Sequence, residues 1–144
     1  MRQVAALGAA LILAGCEAAT RYDTGLVALD LSDPAAFAGG QQPTGATRDA
    51  EGALVAADYA RAEALLEAAL ADSPKDPYAL LSMGTVMHRT GRPAEAAELY
   101  RSAMRYGAAA PAAGTIDERG ELDPAPGLTV AQVARDNLGR LEGL

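Results

Sequence analysis

Residues 76–106 read DPYALLSMGTVMHRTGRPAEAAELYRSAMRY, and this stretch decides the fold. Asp76 offers a carboxylate to the first free amides of a helix, and Pro77 stands at the first helical position, where its missing N–H costs nothing. Leu80, Met83, Gly84 and Met87 then recur at the three- and four-residue spacing of one helical face, to about Thr90. Gly91 suits the left-handed conformation that ends a helix, and Pro93 opens another that reaches about Tyr106.

Working outward, Val55, Tyr59, Ala62, Leu66 and Ala69 follow the same period and predict a preceding helix from about Ala50 to about Ala71, closed by the turn Asp72-Ser73-Pro74-Lys75. Pro43, Gly45 and Gly52 stand against a full helix before it. On the C-terminal side, Pro111, Gly114, Gly120, Pro124, Pro126 and Gly127 predict a loop over 108–128. Thr129 and Gln132 then have the spacing of a capping box. Val130, Val133, Ala134, Leu138 and Leu141 form the apolar stripe of a last helix over 129–142. Its polar face mixes Asp136 and Glu142 with Arg135 and Arg140, which suits a cap on the helical array better than a helix lying on anionic lipid.

Leu80, Met83, Gly84, Met87, Gly91, Ala96, Tyr100 and Ala103 together resemble the tetratricopeptide repeat, whose unit of about 34 residues pairs two antiparallel helices. Gly84, Ala96 and Ala103 are small where the helices must approach closely, and larger side chains there would push the backbones apart. One repeat length upstream, Ala96 falls on Ala62, Leu99 on Leu65, Tyr100 on Leu66 and Ala103 on Ala69, with Pro74 at the closing proline of the earlier unit. The resemblance covers about residues 58–107, one and a half repeats. It implies an all-α fold, a short antiparallel helix array within 49–107 with a C-terminal capping helix, preceded by a flexible tether.

The beginning of the chain carries a different signal. One charge at Arg2, an uncharged apolar run from Val4 to Ala14 and then Gly15-Cys16 have the layout of a secretory signal over residues 1–15, and the run is too short to span a bilayer. Leu13-Ala14-Gly15-Cys16 resembles the lipobox of bacterial lipoproteins. That resemblance implies cleavage before Cys16 and a covalent lipid on its thiol. It also implies a place in the bacterial cell envelope, facing the periplasm, with Glu17 after the cysteine favouring the outer membrane. Residues 16–48, rich in Gly, Pro, Thr and Asp, then read as a tether. Within it Leu26, Val27, Leu29 and Leu31 form an apolar cluster that docks on the chain's own helices, the favoured reading, or on a partner, followed by a short helix from Ser32-Asp33-Pro34 to about Phe37.

Composition narrows the function. A formal charge of −7 lacks the basic footprint of a nucleic-acid binder. His88 is the single histidine and Cys16 the single cysteine, no phosphate loop or nucleophile motif is present, and no cofactor or small-molecule substrate is expected. Asp117, Glu118, Glu121 and Asp123 lack the ordered spacing and glycine of a calcium loop and read as a solvated acidic turn. The chain is therefore read as no enzyme, with no metal site. Tyr78, Leu81, Thr85, His88 and Arg89 lie beside the packing face of their helix. In the repeat this chain resembles, that face lines the groove that binds an extended peptide or helix of a partner; otherwise it is ordinary surface, partly covered by the tether. Two roles remain: an adaptor or assembly factor holding a protein partner at the envelope, or a stoichiometric structural subunit of an envelope complex.

Overall fold

The computed structural model describes residues 28, 29, 31, 41–116 and 121–143. The signal and lipobox with Cys16, the helix expected near Ser32–Phe37, and Asp117 and Glu118 lie outside them.

The described residues are mostly helical, with five helices packed antiparallel: α1 (Gly45–Val55), α2 (Tyr59–Asp72), α3 (Pro77–Arg89), α4 (Pro93–Tyr106) and α5 (Val130–Glu142). The starts follow from side-chain caps. Asp76 Oδ1 accepts the amides of Tyr78 at 2.9 Å and Ala79 at 3.4 Å, and Asp58 accepts that of Arg61 at 3.3 Å. Thr129 and Gln132 form the expected capping box, with Thr129 N–H donating to Gln132 Oε1 at 2.8 Å. Gly91, at φ +79°, turns α3 into α4 in the left-handed conformation expected of it.

The first helix corrects the expectation drawn from Pro43, Gly45 and Gly52. Thr44 caps α1 by accepting from Thr47 N–H at 3.2 Å, so Pro43 lies before the cap and Gly45 in the first turn. Only Gly52 sits in the helix interior, at a cost of about 1 kcal/mol relative to alanine. Burial of Ala50, Ala53 and Leu54 opposes that cost. The helical period through Val55 is broken too. Ala57 takes a left-handed φ of 59° and Asp58 starts a new helix, so Val55 ends α1 at 45 % exposure while Ala62, Leu66 and Ala69 enter the core from α2. Two complete helix pairs result, α1–α2 and α3–α4, with α5 packed on α4 and α3.

The stretch 108–128, expected as a loop, carries two strands. A three-stranded antiparallel sheet has the order β1 (Ala28–Leu29), β2 (Pro111–Ile116), β3 (Leu122–Thr129). Ala28 is opposite Ile116 and Leu29 opposite Thr115, while β2 pairs with β3 from Pro111↔Thr129 to Ile116↔Leu122, with a register shift between Ala112 and Gly114. Pro124 and Pro126 fall on the edge strand, where a missing amide need not interrupt the ladder. Leu29 and Leu31 are buried against the helices, as expected of the apolar cluster they belong to.

Helix α3 is the centre of the molecule, every residue from Pro77 to His88 being buried. Gly84 sets its distance to α4. A Cβ there would lie 2.7 Å from Tyr100 Cε1 and 2.8 Å from Cδ1, inside any ordinary contact. Leu80, Met83, Met87, Ala96, Tyr100 and Ala103 are all buried in the same core, as the repeat spacing requires.

Candidate functional site

A ligand groove was expected along the face of α3 that carries Tyr78, Leu81, Thr85, His88 and Arg89. The structure brings Tyr78, Leu81, Thr85 and His88 together along α3, but each is at most 1 % exposed, and only Arg89 is half-buried. This face is not open to solvent. The physical reason is that segments distant in sequence lie over it. Tyr78 Oη sits 2.8 Å from the carbonyl oxygens of both Gln41 and Pro111, so one phenol joins the approach to α1, the start of β2 and α3. Burial, followed by the charge of Asp76, raises its pKa to about 12, so the hydroxyl stays a donor. Thr85 Oγ1 donates to the Leu81 carbonyl at 3.1 Å and accepts from Tyr100 Oη at 3.4 Å, while His88 meets the Tyr100 ring edge-to-face with centroids 6.4 Å apart. Thr85 and His88 therefore belong to the α3–α4 packing.

The polar centre of the groove is a residue the sequence pattern did not single out. Glu51, on α1 and 4 % exposed, accepts the Leu29 amide of β1 through Oε1 at 2.6 Å and the Ser82 hydroxyl of α3 through Oε2 at 2.5 Å. One carboxyl thus ties together the first helix of each pair and the strand that crosses them. Desolvation pushes its pKa up to about 7, against the lowering effects of Ser82, the Leu29 amide and the Arg89 charge. A second tie runs between the helix starts. Thr47 Oγ1 donates to Asp76 Oδ2 at 3.3 Å, linking the cap of α1 to the cap of α3. The one available signal for Glu51 was its place among Thr47, Ala50 and Leu54 on the inner face of α1, readable only once that segment is known to be helical.

β1 fills this groove as an extended ligand would. Its backbone pairs with β2 on one side and reaches Glu51 on the other, and Leu29, 1 % exposed, is inserted into the core. Burying a leucine side chain contributes about 2 kcal/mol. Beside β1 a cleft of about 400 Å³ remains among the described residues, lined by Leu29, Leu31, Arg48, Glu51, Gly52, Val55 and Ile116. A second cleft of about 440 Å³, lined by Gln41, Gln42, Thr44, Ser73, Pro74, Lys75 and Asp76, lies at the helix starts. Among the described residues no three His, Cys, Asp or Glu side chains gather as metal ligands.

Two helix pairs in register, a glycine at the crossing and an inner face that holds an extended segment are the marks of a repeat array. Residues 53–116 match the model of the tetratricopeptide repeat. The chain carries a tetratricopeptide repeat. The match begins in the last turn of α1, covers α2, α3 and α4, and ends with β2, so it takes in the whole span proposed from residues 58–107. Neither the comparison with curated proteins nor that with solved structures returns a match. A tetratricopeptide repeat is typical of non-catalytic interaction proteins and implies protein partners in general.

Proposed function

We propose that this chain is a lipid-anchored adaptor, in which a lipid on Cys16 and a tether place a tetratricopeptide repeat at the periplasmic side of a bacterial envelope membrane, with the outer membrane favoured, to hold a protein partner. The observation that carries the interaction role is the repeat at 53–116, and the lipobox-like Leu13-Ala14-Gly15-Cys16 supports the anchor. The way the chain covers its own core favours an adaptor over a permanent structural subunit. α5 closes one end of the array, and β1 with the hairpin closes the inner face, so no large apolar surface waits for a neighbour; Val55 is the one large hydrophobic residue exposed among the described residues. The proposed partner groove is the inner face of α1 and α3, around Glu51, Ser82 and the buried Leu29; of the residues expected to line it, Tyr78, Leu81, Thr85 and His88 are buried and Arg89 is half-buried. No catalytic group or cofactor is part of this reading.

A photoreactive residue at Val55, on the rim of the cleft, tests the interaction in intact cells. The adaptor reading expects one or a few discrete adducts with other envelope proteins, identified by mass spectrometry and absent when the probe is moved to Arg61 on the outer side of α2. Self-adducts alone from several rim positions would remove its support. The anchor has a separate test, because Cys16→Ala should abolish incorporation of labelled fatty acid, and label that persists sinks it.

A further inference from the structure

We infer that β1 is a built-in, replaceable occupant of the repeat's inner face, and that the partner presents an extended segment with a leucine-sized apolar residue that takes the place of Leu29 and pairs with β2. The inference rests on the interaction reading above and specifies the partner's chemistry.

Three observations define the seat. Its walls are α1 and α3, joined through Glu51 and Ser82. Its floor takes the side chain of Leu29, with Ala28 and Leu31 buried beside it. Its edge is the β2 backbone, which holds Ala28 and Leu29 opposite Ile116 and Thr115. An occupant is read through its backbone and its inward apolar side chains, Leu29 the largest buried in the β1 ladder, which is how an added strand is recognised. Glu51 makes the seat selective for an extended backbone, because its Oε1 accepts an amide that a helix would use internally.

Two further features make the occupant replaceable. β1 has only two ladder positions, and strands this short open locally at low cost. The cleft beside it, with Arg48 and Val55 on its walls and Gly52 presenting no side chain, gives an incoming segment a place to land before β1 leaves. Until then β1 competes from within the same molecule, at an effective concentration in the millimolar range. A seat occupied by its own chain lowers the apparent affinity of any other ligand by the fraction of time it is empty.

The test uses the full chain in detergent and a fluorescent synthetic peptide of residues 26–33, LVALDLSD, read by anisotropy. Leu29→Asp in the protein evicts β1 and should tighten peptide binding at least about tenfold over wild type. Adding Glu51→Ala to that variant, or Leu29→Asp to the peptide, should abolish the gain. Equal affinity for wild type and the Leu29→Asp protein, or no binding by a Leu29→Asp protein that keeps its helical circular dichroism, overturns the inference. If Leu29→Asp does not fold, Leu29→Ala takes its place with the same ordering expected, and the absence of that ordering is equally decisive. A wild-type dimer that the peptide dissociates would make a second copy the occupant and overturn the choice of a partner segment. Partner adducts from Val55 without peptide binding would leave the adaptor reading standing and this one not.

Discussion

Replacing Gly84 by alanine tests the packing on which the repeat depends. An alanine in an exposed helix interior is better than glycine by about 1 kcal/mol. Here the added Cβ would sit 2.7 Å from Tyr100 Cε1 and 3.4 Å from Leu99 Cβ. The first distance is roughly 0.8 Å inside the closest comfortable carbon–carbon separation of about 3.5 Å. Tyr100 has nowhere to retreat, since it is fully buried, its hydroxyl is bonded to Thr85 and its ring is flanked by His88. Overpacking of this kind costs about 1–3 kcal/mol. With the contact rigid on both sides the upper part of that range applies, so the net loss should be about 1–2 kcal/mol after the helical gain. For a domain of this size that is a fall of several degrees in Tm, roughly 4–8 °C per kcal/mol. The assay is urea unfolding of the Cys16→Ala chain followed by circular dichroism, with Gly139→Ala as control, because a Cβ at Gly139 meets nothing within 4 Å. Gly139→Ala should stabilise. Combining Gly84→Ala with Tyr100→Ala should lose less than the sum of the two single changes. A neutral or stabilising Gly84→Ala would refute the close crossing of α3 and α4.

Glu51 predicts a pH dependence whose sign follows from its raised pKa. Between about 4.5 and about 7 the folded chain keeps a proton there that the unfolded chain has lost, so this group's contribution falls as pH rises through that window, by on the order of 3 kcal/mol at most. Ser82 and the Leu29 amide face it as hydrogen-bond donors, and the Arg89 charge from α3 also favours the charged form. Glu51→Gln should be the more stable protein at pH 8 and should flatten the urea midpoint between pH 5 and 8 relative to wild type; a parallel pH profile would contradict the burial. Asp76→Ala removes the cap of α3 and the acceptor of Thr47, and should cost about 1–2 kcal/mol in the same assay, whereas a change within about 0.5 kcal/mol would place the cap elsewhere. Tyr78→Phe should lose about 1 kcal/mol through its tie to Gln41 and Pro111, and Tyr78→Ala about 3–5 kcal/mol through the cavity, so loss of partner binding in the alanine variant would report unfolding.

Much of this architecture is legible in local chemistry. Asp76, Pro77, Gly91, Pro93 and the Thr129–Gln132 box mark the ends of α3, α4 and α5 because each satisfies or terminates a helix within a few residues of itself. Gly84 was readable as a close helix approach from the repeat spacing, whereas its partner in that approach, Tyr100, is set by the packing. The site was not readable in the same way. Glu51 lies in a helix that Pro43, Gly45 and Gly52 disguise, and the helical period running through Val55 conceals the break that Ala57 and Asp58 introduce. The hairpin is hidden by Pro111, Pro124 and Pro126, since the first position of a strand and an edge strand both tolerate prolines that local rules assign to loops. Pairing of Leu29 with Thr115 joins residues far apart in sequence, and no periodicity encodes it. That pairing is what converts an expected open groove into a filled one.

The central claim is that this repeat closes its own interaction face with β1. Amide hydrogen exchange at Leu29 in the full chain addresses it most directly. Exchange should be at least about tenfold slower than for an unstructured amide, through an opening that leaves the α3 amides protected. Exchange of Leu29 at the rate of a free chain would contradict it.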